Sequence, residues 1–434
     1  MALPPGPKTP LPIATYRWLH HAPEVLDRCF RDFGDTFTLR FPAGVLLRPV
    51  PIVVTCHPET IKQVFTGPSE VLHAGKAAQV LAPLVGKNSL LVLDGKKHLR
   101  HRRLMLPPFH GERMRKYVAT MRDETIDEID SLRSSSELVL HPHLQQITLR
   151  VILRTVFGIE DQRSMRELGA QLTRLLDVGA DPSLLLYNLV PLPHGKKRIF
   201  DRELARADQM IYALIAARRE EGKAEQRSDV LSMLLCARDE SGERMSDVEL
   251  RDELMTLLVA GHETTATALA WTTRLLLDHP AALERARAEV DTALSGDITE
   301  DELGHLPWLD AVLRESLRLR PVIPMVGRVL QVPMSFRGFR LPAGSAIAPS
   351  IWLTHRNPAV YEAPLEFRPE RFESTKPNPY AWLPFGGGIR RCIGQAFALV
   401  EMKVVLATML RHLDLQAANA EPPRALYCEF PIGR

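Results

Sequence analysis

One cysteine has neighbours that favour a reactive or metal-binding thiolate. Cys392 follows three glycines and two arginines in the segment Phe385-Gly-Gly-Gly-Ile-Arg-Arg-Cys-Ile-Gly394, just before a predicted helix. Free N–H groups and the positive end of the helix dipole stabilise a thiolate at such a position. The thiolate could be a nucleophile or a metal ligand, but no local histidine or asparagine supports a nucleophile. A phosphate-binding loop that happens to contain a cysteine is the alternative.

A second group of chemically useful residues lies in the middle of a long predicted helix, 246–278. Ser246 and Glu249 have the spacing of a capping box, and about 33 residues at 1.5 Å each give a length of about 50 Å. The helix centre, Ala260-Gly-His-Glu-Thr-Thr265, contains a glycine that costs about 1 kcal/mol in a helix interior. A gap of small residues beside an acid and hydroxyls suits the entry of a small ligand and water. The alternative is a core helix whose glycine permits close packing.

The elements that must position these residues form a helical body with a small β part. Nothing in the composition divides the chain, so we expect a Pro-rich, extended segment at 1–21 and one domain at 22–434. Its β-rich parts are predicted at about 35–56 and 325–351, and 355–391 is expected to be nearly all loop. Predicted helices cover 23–33, 58–66, 95–105, 113–133, 143–157, 162–178, 197–221, 229–238, 246–278, 280–294, 308–319 and 394–412, with strands at 36–40, 50–55, 327–331, 335–340 and 346–350.

The composition is that of a soluble globular protein. The 434 residues are 45% hydrophobic and 25% charged, which excludes a disordered or fibrous chain. A net charge of +3 is too small to favour nucleic-acid binding, and no apolar run approaches the roughly 18 residues of a membrane span. The N-terminus lacks the pattern of a signal peptide, and the five scattered cysteines have no zinc-site spacing. We therefore expect a cytoplasmic protein in which one cysteine acts alone.

The segment around Cys392 resembles the haem-binding signature of the cytochrome P450 family at Phe385, Gly388, Arg390, Cys392 and Gly394. The resemblance implies a mainly α fold with a small β subdomain, in which haem b lies between the long central helix and the cysteine-bearing loop. Cys392 would be the axial thiolate ligand of the iron, with Phe385 packed near its sulfur. Arg390 would pair with a haem propionate, and Gly388 and Gly394 would let the chain turn against the porphyrin.

The centre of the long helix resembles the oxygen-activation motif of the same family. The resemblance implies that Thr264 hydrogen-bonds dioxygen and that Glu263 relays protons. Reduced oxygen must receive two protons, and a hydroxyl with a carboxylate supplies an ordered path in a mostly dry pocket.

Glu315 and Arg318 are three residues apart on one predicted helical face and match the Glu-x-x-Arg pair of the family. The resemblance implies a structural network with Arg371 that holds the cysteine loop against the core. The alternative is an ordinary surface pair, which contributes only about 0–1 kcal/mol.

Three more basic residues match propionate-binding positions of the family. His98 and Arg102 lie four apart in the predicted helix 95–105, and Arg328 opens a β segment seven residues after Pro321. For His98 and Arg102 the alternative is a solvated basic helix, because lysines and arginines surround them.

The residues that the resemblance implies over the haem are apolar, so we expect an apolar small-molecule substrate such as a terpenoid, steroid, fatty acid or macrolide-like compound. The enzyme would insert one oxygen atom of O2 into it, in a role in secondary metabolism. Segments 70–92, 181–193 and 427–431 are expected to complete the pocket. The residues expected to line it are Ala260, Val322, Ile323, Met325 and Val326.

The resemblance also implies electron donors and a physical state. Electrons would come from NAD(P)H through a ferredoxin and a ferredoxin reductase, or a flavodoxin. The enzyme itself would be a soluble, bacterial-type monomer. Basic residues at 96–116 and Arg391 are a candidate docking patch for an acidic donor, although charge runs are usually only solvated faces.

Three other functions stay open at this point. A haem-thiolate peroxygenase or isomerase is disfavoured, because such members typically lose the acid–hydroxyl pair that Glu263 and Thr264 supply. A haem sensor or ligand carrier would need no turnover, and no regulatory or DNA-binding segment accompanies the chain. A haem-free helical scaffold would show no haem spectrum.

Overall fold

The computed structural model describes residues 3–43, 48–109, 113–132, 137–179, 181, 195–294, 296, 298–373 and 378–418. Helices dominate this part of the chain, and most predicted helices begin and end within three residues of their expected bounds. The α-helices are α1 Leu11–Phe33, α2 Pro58–Thr66, α3 Ala74–Ala77, α4 Ala82–Val85, α5 Gly95–Met105, α6 Arg113–Leu132, α7 Leu140–Thr155, α8 Gln162–Gly179, α9 Gly195–Glu221, α10 Val230–Cys236, α11 Asp247–Asp278, α12 Pro280–Ala293, α13 Glu300–Leu303, α14 Pro307–Leu319, α15 Ile351–Arg356 and α16 Gln395–His412.

The β part is a five-stranded sheet and a separate hairpin. In the sheet the strand order is β1-β2-β7-β4-β3, with β1 antiparallel to β2 and β2 parallel to β7. The hairpin corrects the single strand predicted at 335–340, because Arg337 and Gly338 both have positive φ and form a tight turn between β5 and β6. The strands are β1 Thr36–Ala43, β2 Arg48–Thr55, β3 Leu72–His73, β4 Arg328–Leu330, β5 Met334–Phe336, β6 Phe339–Leu341 and β7 Ala346–Pro349.

The N-terminal segment is more ordered than the sequence predicts. The expectation of an extended chain is wrong for residues 11–21, which form the first part of α1. Pro12 sits in the first turn, where its missing N–H costs no hydrogen bond, and Trp18 is buried against the sheet. The helix is kinked at His21, two residues before Pro23, as expected where a proline interrupts the hydrogen-bond ladder.

The long helix α11 runs through the core. The predicted capping box is present, with the Ser246 hydroxyl accepting from the Glu249 N–H and the Glu249 side chain accepting from the Ser246 N–H. Most of its side chains are buried against α7, α14 and α16. No helix in the described ranges is both long and apolar enough to cross a membrane.

Candidate active site

The cysteine loop is pressed against the end of α2. A Cβ on Gly387 would lie 2.1 Å from the Phe65 ring, and one on Gly388 would lie 2.0 Å from the Phe65 carbonyl oxygen. Gly388 also has a φ of +65°, which disfavours side chains. The close approach that Gly388 permits is therefore to Phe65. The loop is closed by a 3.0 Å hydrogen bond from the Cys392 N–H to the Phe385 carbonyl.

Cys392 lies at the floor of a cleft. Its side chain is exposed to solvent, yet the surrounding protein is dense enough that burial raises the pKa of the thiol. A hydrogen bond from the Gly394 backbone and the charges of Arg102 and Arg391 oppose this shift. A Cβ on Gly394 would meet no atom within 4 Å, so there is open space at that position of the loop as well. A cation bound here would deprotonate the thiol.

Four basic side chains converge beside this cleft. Burial, followed by the charges of Arg390, Arg102 and Arg328, lowers the pKa of His98 to about 3, so its imidazole is neutral. Burial and neighbouring arginines also lower the pKa values of Arg328 and Arg390 to about 10. Among the described residues, neither the His98 ring nor the Arg102 guanidinium has a hydrogen-bond partner. The three predicted propionate ligands and Arg390 thus form one group.

In the described part of the chain one carboxylate, Asp94, binds within this cationic group, and no local pattern in the sequence indicates it. Asp94 accepts a 2.5 Å hydrogen bond from Arg390 and further bonds from the backbone N–H groups of Gly75 and Lys76. Arg390 also donates to the carbonyl of Leu90 at 3.1 Å. Asp94 and Arg390 are far apart in the chain, so only the folded structure relates them.

The residues present fit a haem group. Partly desolvated positive charges need an anionic partner. In the described chain Asp94 binds Arg390 and its charge acts on Arg328, whereas Arg102 has no carboxylate partner, which suits a ligand with two carboxylates. The exposed Cys392 thiol could serve as the metal ligand, and Arg102, Arg328 and Arg390 could hold the propionates of a haem.

The middle of α11 opens onto a hollow. Ala260 is exposed although the residues one turn earlier are fully buried, and Thr264 on the same face is only half-buried. The Thr264 hydroxyl donates to the Ala260 carbonyl one turn back. An exposed stretch in the middle of a core helix marks a ligand-sized space beside it.

Glu263 points to a different neighbour. Its Oε2 atom accepts a 2.6 Å hydrogen bond from Gln145 of α7, and its Oε1 atom lies 3.4 Å from Nε2 of His141. Burial raises the pKa of Glu263, but the hydrogen bonds from His141 and Gln145 and the charges of His141 and His262 outweigh it and hold the pKa below its ordinary value. The structure brings the two predicted catalytic residues to adjoining faces of α11 without a direct contact between their side chains.

Gly261 has the packing role that was the alternative interpretation of the motif. A Cβ at this position would lie 2.7 Å from Cδ1 of Ile152 on α7. The glycine therefore lets α7 and α11 approach closely, which also brings His141 and Gln145 within reach of Glu263.

The Glu315–Arg318 pair behind the loop is fully buried, and Arg371, which joins it, is 15% exposed. Arg318 donates to both oxygens of Glu315 at 2.7 and 2.9 Å, and Arg371 donates to Oε1 at 3.1 Å. His355, which the sequence did not single out, accepts from the Leu383 N–H at 2.7 Å and bonds the Arg318 carbonyl through Nδ1. Burial lowers the pKa of His355 well below its ordinary value, so a neutral ring connects α14 to the chain entering the cysteine loop.

The predicted pocket residues are spread over several environments. Val322 packs against the core around α11, Met325 against the N-terminal cluster, and Val326 against a third cluster beside the sheet. Ile323 is 45% exposed. Segments 182–193 and 427–431 lie outside the described residues.

The site suits one class of protein, in which a cysteine thiolate holds haem. The family model for cytochrome P450 matches residues 4–430. The chain therefore belongs to the cytochrome P450 family and is a monooxygenase, an oxidoreductase that uses haem iron.

Similar proteins match this chain over nearly its whole length. Cytochrome P450 135B1 of Mycobacterium tuberculosis is 40% identical over 98% of this chain and 88% of its own length. Cytochrome P450 137 of the same organism is 38% identical over 92% of this chain and 80% of its own length. Among solved structures, the retinoic acid-bound cyanobacterial CYP120A1 superimposes with a TM-score of 0.79 at 26% identity, covering 95% of this chain and 92% of that one.

Proposed function

We propose that this cytochrome P450 binds haem b through Cys392 and inserts one oxygen atom of O2 into an apolar small molecule. One observation carries the proposal. An exposed thiol lies beside a group of three arginines and a neutral histidine, in which Asp94 binds Arg390. Haem bound through a thiolate supplies the activation of dioxygen.

The side chains around the haem would divide its binding between them. Arg102, Arg328 and Arg390 would hold the propionates, and a charge-assisted contact of this kind contributes about 1.5–3 kcal/mol. His98 is neutral, so it would donate a hydrogen bond and not a charge. Phe385 is half-buried with its ring 6.0 Å from that of Trp382, which supports a role as an apolar shield for the sulfur. The Glu315 network would keep the loop in place.

Glu263 and Thr264 would move protons to reduced oxygen. Adjacent helix residues do not face each other, and the Glu263 carboxylate lies toward α7. The proton would therefore pass to the Thr264 hydroxyl through water or after the Glu263 side chain rotates. Ala260 leaves the space for dioxygen next to that hydroxyl.

The substrate would be held by apolar area. Val322, Ile323, Met325 and Val326 follow α14 as an apolar segment, and a terpenoid, steroid, fatty acid or macrolide-like compound suits such a wall. The retinoic acid bound to CYP120A1 is an apolar isoprenoid acid, which favours the same class. A spin-state screen with retinoic acid, dodecanoic acid, testosterone and erythromycin would identify the class that binds.

Electrons would come from NAD(P)H through a ferredoxin and its reductase, or a flavodoxin. We expect hydroxylation as the usual reaction, with the enzyme acting as a cytoplasmic monomer in secondary metabolism.

A spectrum of the purified protein tests the cofactor. The reduced, carbon monoxide-treated wild type should show the red-shifted absorption of a thiolate adduct, and Cys392→Ser should lose it together with product formation. Oxidation that survives in Cys392→Ser would overturn the assignment.

Thr264→Ala tests the proton path. This variant should keep the spectrum and consume NADPH, but release hydrogen peroxide in place of product, because proton delivery is lost. Product formed per NADPH at the wild-type ratio would count against the roles of Thr264 and Glu263.

A further inference from the structure

A histidine of α7 contacts the proposed proton relay from the side opposite the pocket. Nε2 of His141 lies 3.4 Å from Oε1 of Glu263, and the Thr267 hydroxyl lies within 3.4 Å of that nitrogen and 3.5 Å of that oxygen. Gln145 donates to the other carboxylate oxygen at 2.6 Å. Glu263 is therefore held by three side chains, of which only that of His141 is an acid–base group.

His141 also reaches solvent. Its side chain is 20% exposed and that of Glu263 is 17% exposed. Val139, at the start of α7, is 74% exposed, and Pro142 is exposed as well. The first turn of α7 is thus at the surface, and it carries the imidazole that contacts the Glu263 carboxylate.

The other ionisable groups nearby are engaged elsewhere. His262 is buried with its Nδ1 3.0 Å from the Thr148 hydroxyl, and burial lowers the pKa of His262 to about 4, so it is neutral. On the α6 side, Glu128 binds His143 and Arg150.

A second acid of α6, Glu124, binds Arg154. No charged side chain of α8 forms an ion pair with His141 or Glu263 in the described part of the chain. His141 is consequently the one titratable group that connects Glu263 to water there.

We propose that His141 is the proton-entry residue for Glu263. This inference rests on the proposed relay through Glu263 and Thr264, and adds the group that reloads it from solvent. Because Gly261 lets α7 approach α11, the entry residue is supplied by a different helix from the one that carries the relay.

The transfer balances without any electron change. The N–H bond at Nε2 of His141 breaks and an O–H bond forms at Oε1 of Glu263, so an imidazolium and a carboxylate become a neutral imidazole and a carboxylic acid. The acid passes its proton toward Thr264 and becomes a carboxylate again. The imidazole then takes a proton from a solvent hydronium ion or water.

Two substitutions separate proton transfer from charge pairing. His141→Gln removes both the charge and the proton, whereas His141→Lys keeps a cation that holds its proton at neutral pH. Holoenzyme variants are compared in NADPH-driven turnover of whichever compound of the four-member screen shifts the haem spin state most. Both variants should release several-fold more hydrogen peroxide per NADPH and show a larger solvent deuterium isotope effect than the wild type.

Infrared spectroscopy of the resting holoenzyme gives a readout that needs no turnover. The carboxylic acid band of Glu263, assigned by its loss in Glu263→Gln, should titrate at higher pH in His141→Gln, because one of the partners that lower the pKa of Glu263 is gone. His141→Lys should keep the band close to its wild-type titration. An unchanged Glu263 titration in His141→Gln would overturn the contact on which the inference depends.

His143→Gln is the matched control, because His143 lies on the same helical turn but binds Glu128 of α6 at 2.8 Å. His143→Gln should form as much product per NADPH as the wild type does. Wild-type coupling and isotope effect in His141→Lys would show that His141 is only a charge partner, which overturns the inference. If Glu263→Gln forms less product per NADPH while both His141 variants keep the wild-type ratio, only the inference about His141 fails. If Glu263→Gln also keeps the wild-type ratio, the proposed relay through Glu263 and Thr264 fails as well.

Discussion

At the scale of single residues, two glutamates near the active site have opposite environments. Glu263 is held by donors that lower its pKa. Glu401 of α16 is completely buried, and neither carboxylate oxygen has a hydrogen-bond partner in the described chain. Burial raises the pKa of Glu401 well above its ordinary value, and the nearby Thr265 hydroxyl of α11 opposes the shift without being placed for a hydrogen bond. Glu401 is therefore a neutral carboxylic acid at physiological pH.

Glu401→Gln should become more stable relative to the wild type as pH rises. Above the ordinary pKa of 4.5 the unfolded chain releases the proton that the folded chain keeps, so wild-type stability falls with pH. The slope is at most about 1.4 kcal/mol per pH unit up to the folded pKa. Urea midpoints of both proteins between pH 5 and 8 test it, and the difference should grow with pH until the folded pKa of Glu401 is reached.

Glu263→Gln is a control with the opposite sign. Because the folded pKa of Glu263 is lowered, its carboxylate stabilises the wild type above the ordinary pKa and this is lost as pH falls through the folded value. Glu263→Gln should therefore lose stability relative to the wild type as pH rises toward 4.5, and the two proteins should run parallel between pH 5 and 8. Parallel pH profiles of wild type and Glu401→Gln would mean that Glu401 keeps an ordinary pKa.

Arg102→Gln should weaken haem retention by about ten- to one-hundred-fold, the equivalent of one charge-assisted contact of about 1.5–3 kcal/mol. Arg102 has no hydrogen-bond partner in the described chain, and burial lowers its pKa, so its removal should not destabilise the haem-free protein. Haem transfer to an excess of a haem-scavenging protein measures the change. Arg103 is the control, because it is exposed and paired with Glu240. If Arg103→Gln lost haem as fast as Arg102→Gln, a specific contact between Arg102 and the haem would be excluded.

At the scale of elements, the contact between α7 and α11 positions the acid of the relay. Gly261→Ala should destabilise the protein, because the overpacking against Ile152 costs about 1–3 kcal/mol and the better helix propensity of alanine returns only about 1 kcal/mol. Ile152→Val removes the Cδ1 atom that a Cβ would meet. In that background Gly261→Ala should become neutral or stabilising. A double-mutant cycle on thermal midpoints tests the coupling, and additive effects would exclude this contact as the reason for the glycine.

The elements that the sequence predicts well are those with local boundaries. Pro58 and Gly67 bracket α2, and Gly95 follows the N-cap residue Asp94 of α5, so both helices match their predicted bounds. β3 has two residues and α15 has six, and elements this short form only because β4 and the N-terminal cluster pack on them. They carry too little periodicity to be detected in the sequence.

The site divides in the same way. Cys392, Arg390 and the acid–hydroxyl pair belong to short motifs and are found through the family resemblance. Asp94, His141 and His355 act through partners that are distant in the sequence, and Glu401 is distinguished by its burial. Nothing in the local sequence distinguishes these four from other surface or core residues. Long-range pairing, such as that of Asp94 with Arg390, requires the fold.

At the scale of the whole molecule, ion pairs reduce the predicted basic patch. Arg100 donates to Asp239 at 2.5 Å and to Glu249 at 2.8 Å, and Arg103 pairs with Glu240. Their charges are largely compensated within the protein, so they are poor candidates for docking an acidic donor. The exposed basic residues of this region that form no ion pair with the described chain are Lys96, Lys97, Lys116 and Arg391.

Charge reversal at these four positions should slow reduction by an acidic ferredoxin. Long-range attraction between opposite charges raises association rates by about 10- to 1000-fold at low salt. It is screened over about 8 Å at physiological ionic strength. The variant Lys96→Glu/Lys97→Glu/Lys116→Glu/Arg391→Glu should therefore lose most of the salt dependence as well as the rate. Arg103→Glu/Glu240→Arg is the control, because exchanging the two charges of this ion pair leaves the local net charge unchanged, and its rate should change little. Because the net charge of the chain is only +3, a general attraction cannot replace a local one.

Stopped-flow reduction under carbon monoxide across a salt series measures the reduction rate and its salt dependence. Equal salt slopes in wild type and the quadruple variant would locate the docking surface elsewhere on the molecule.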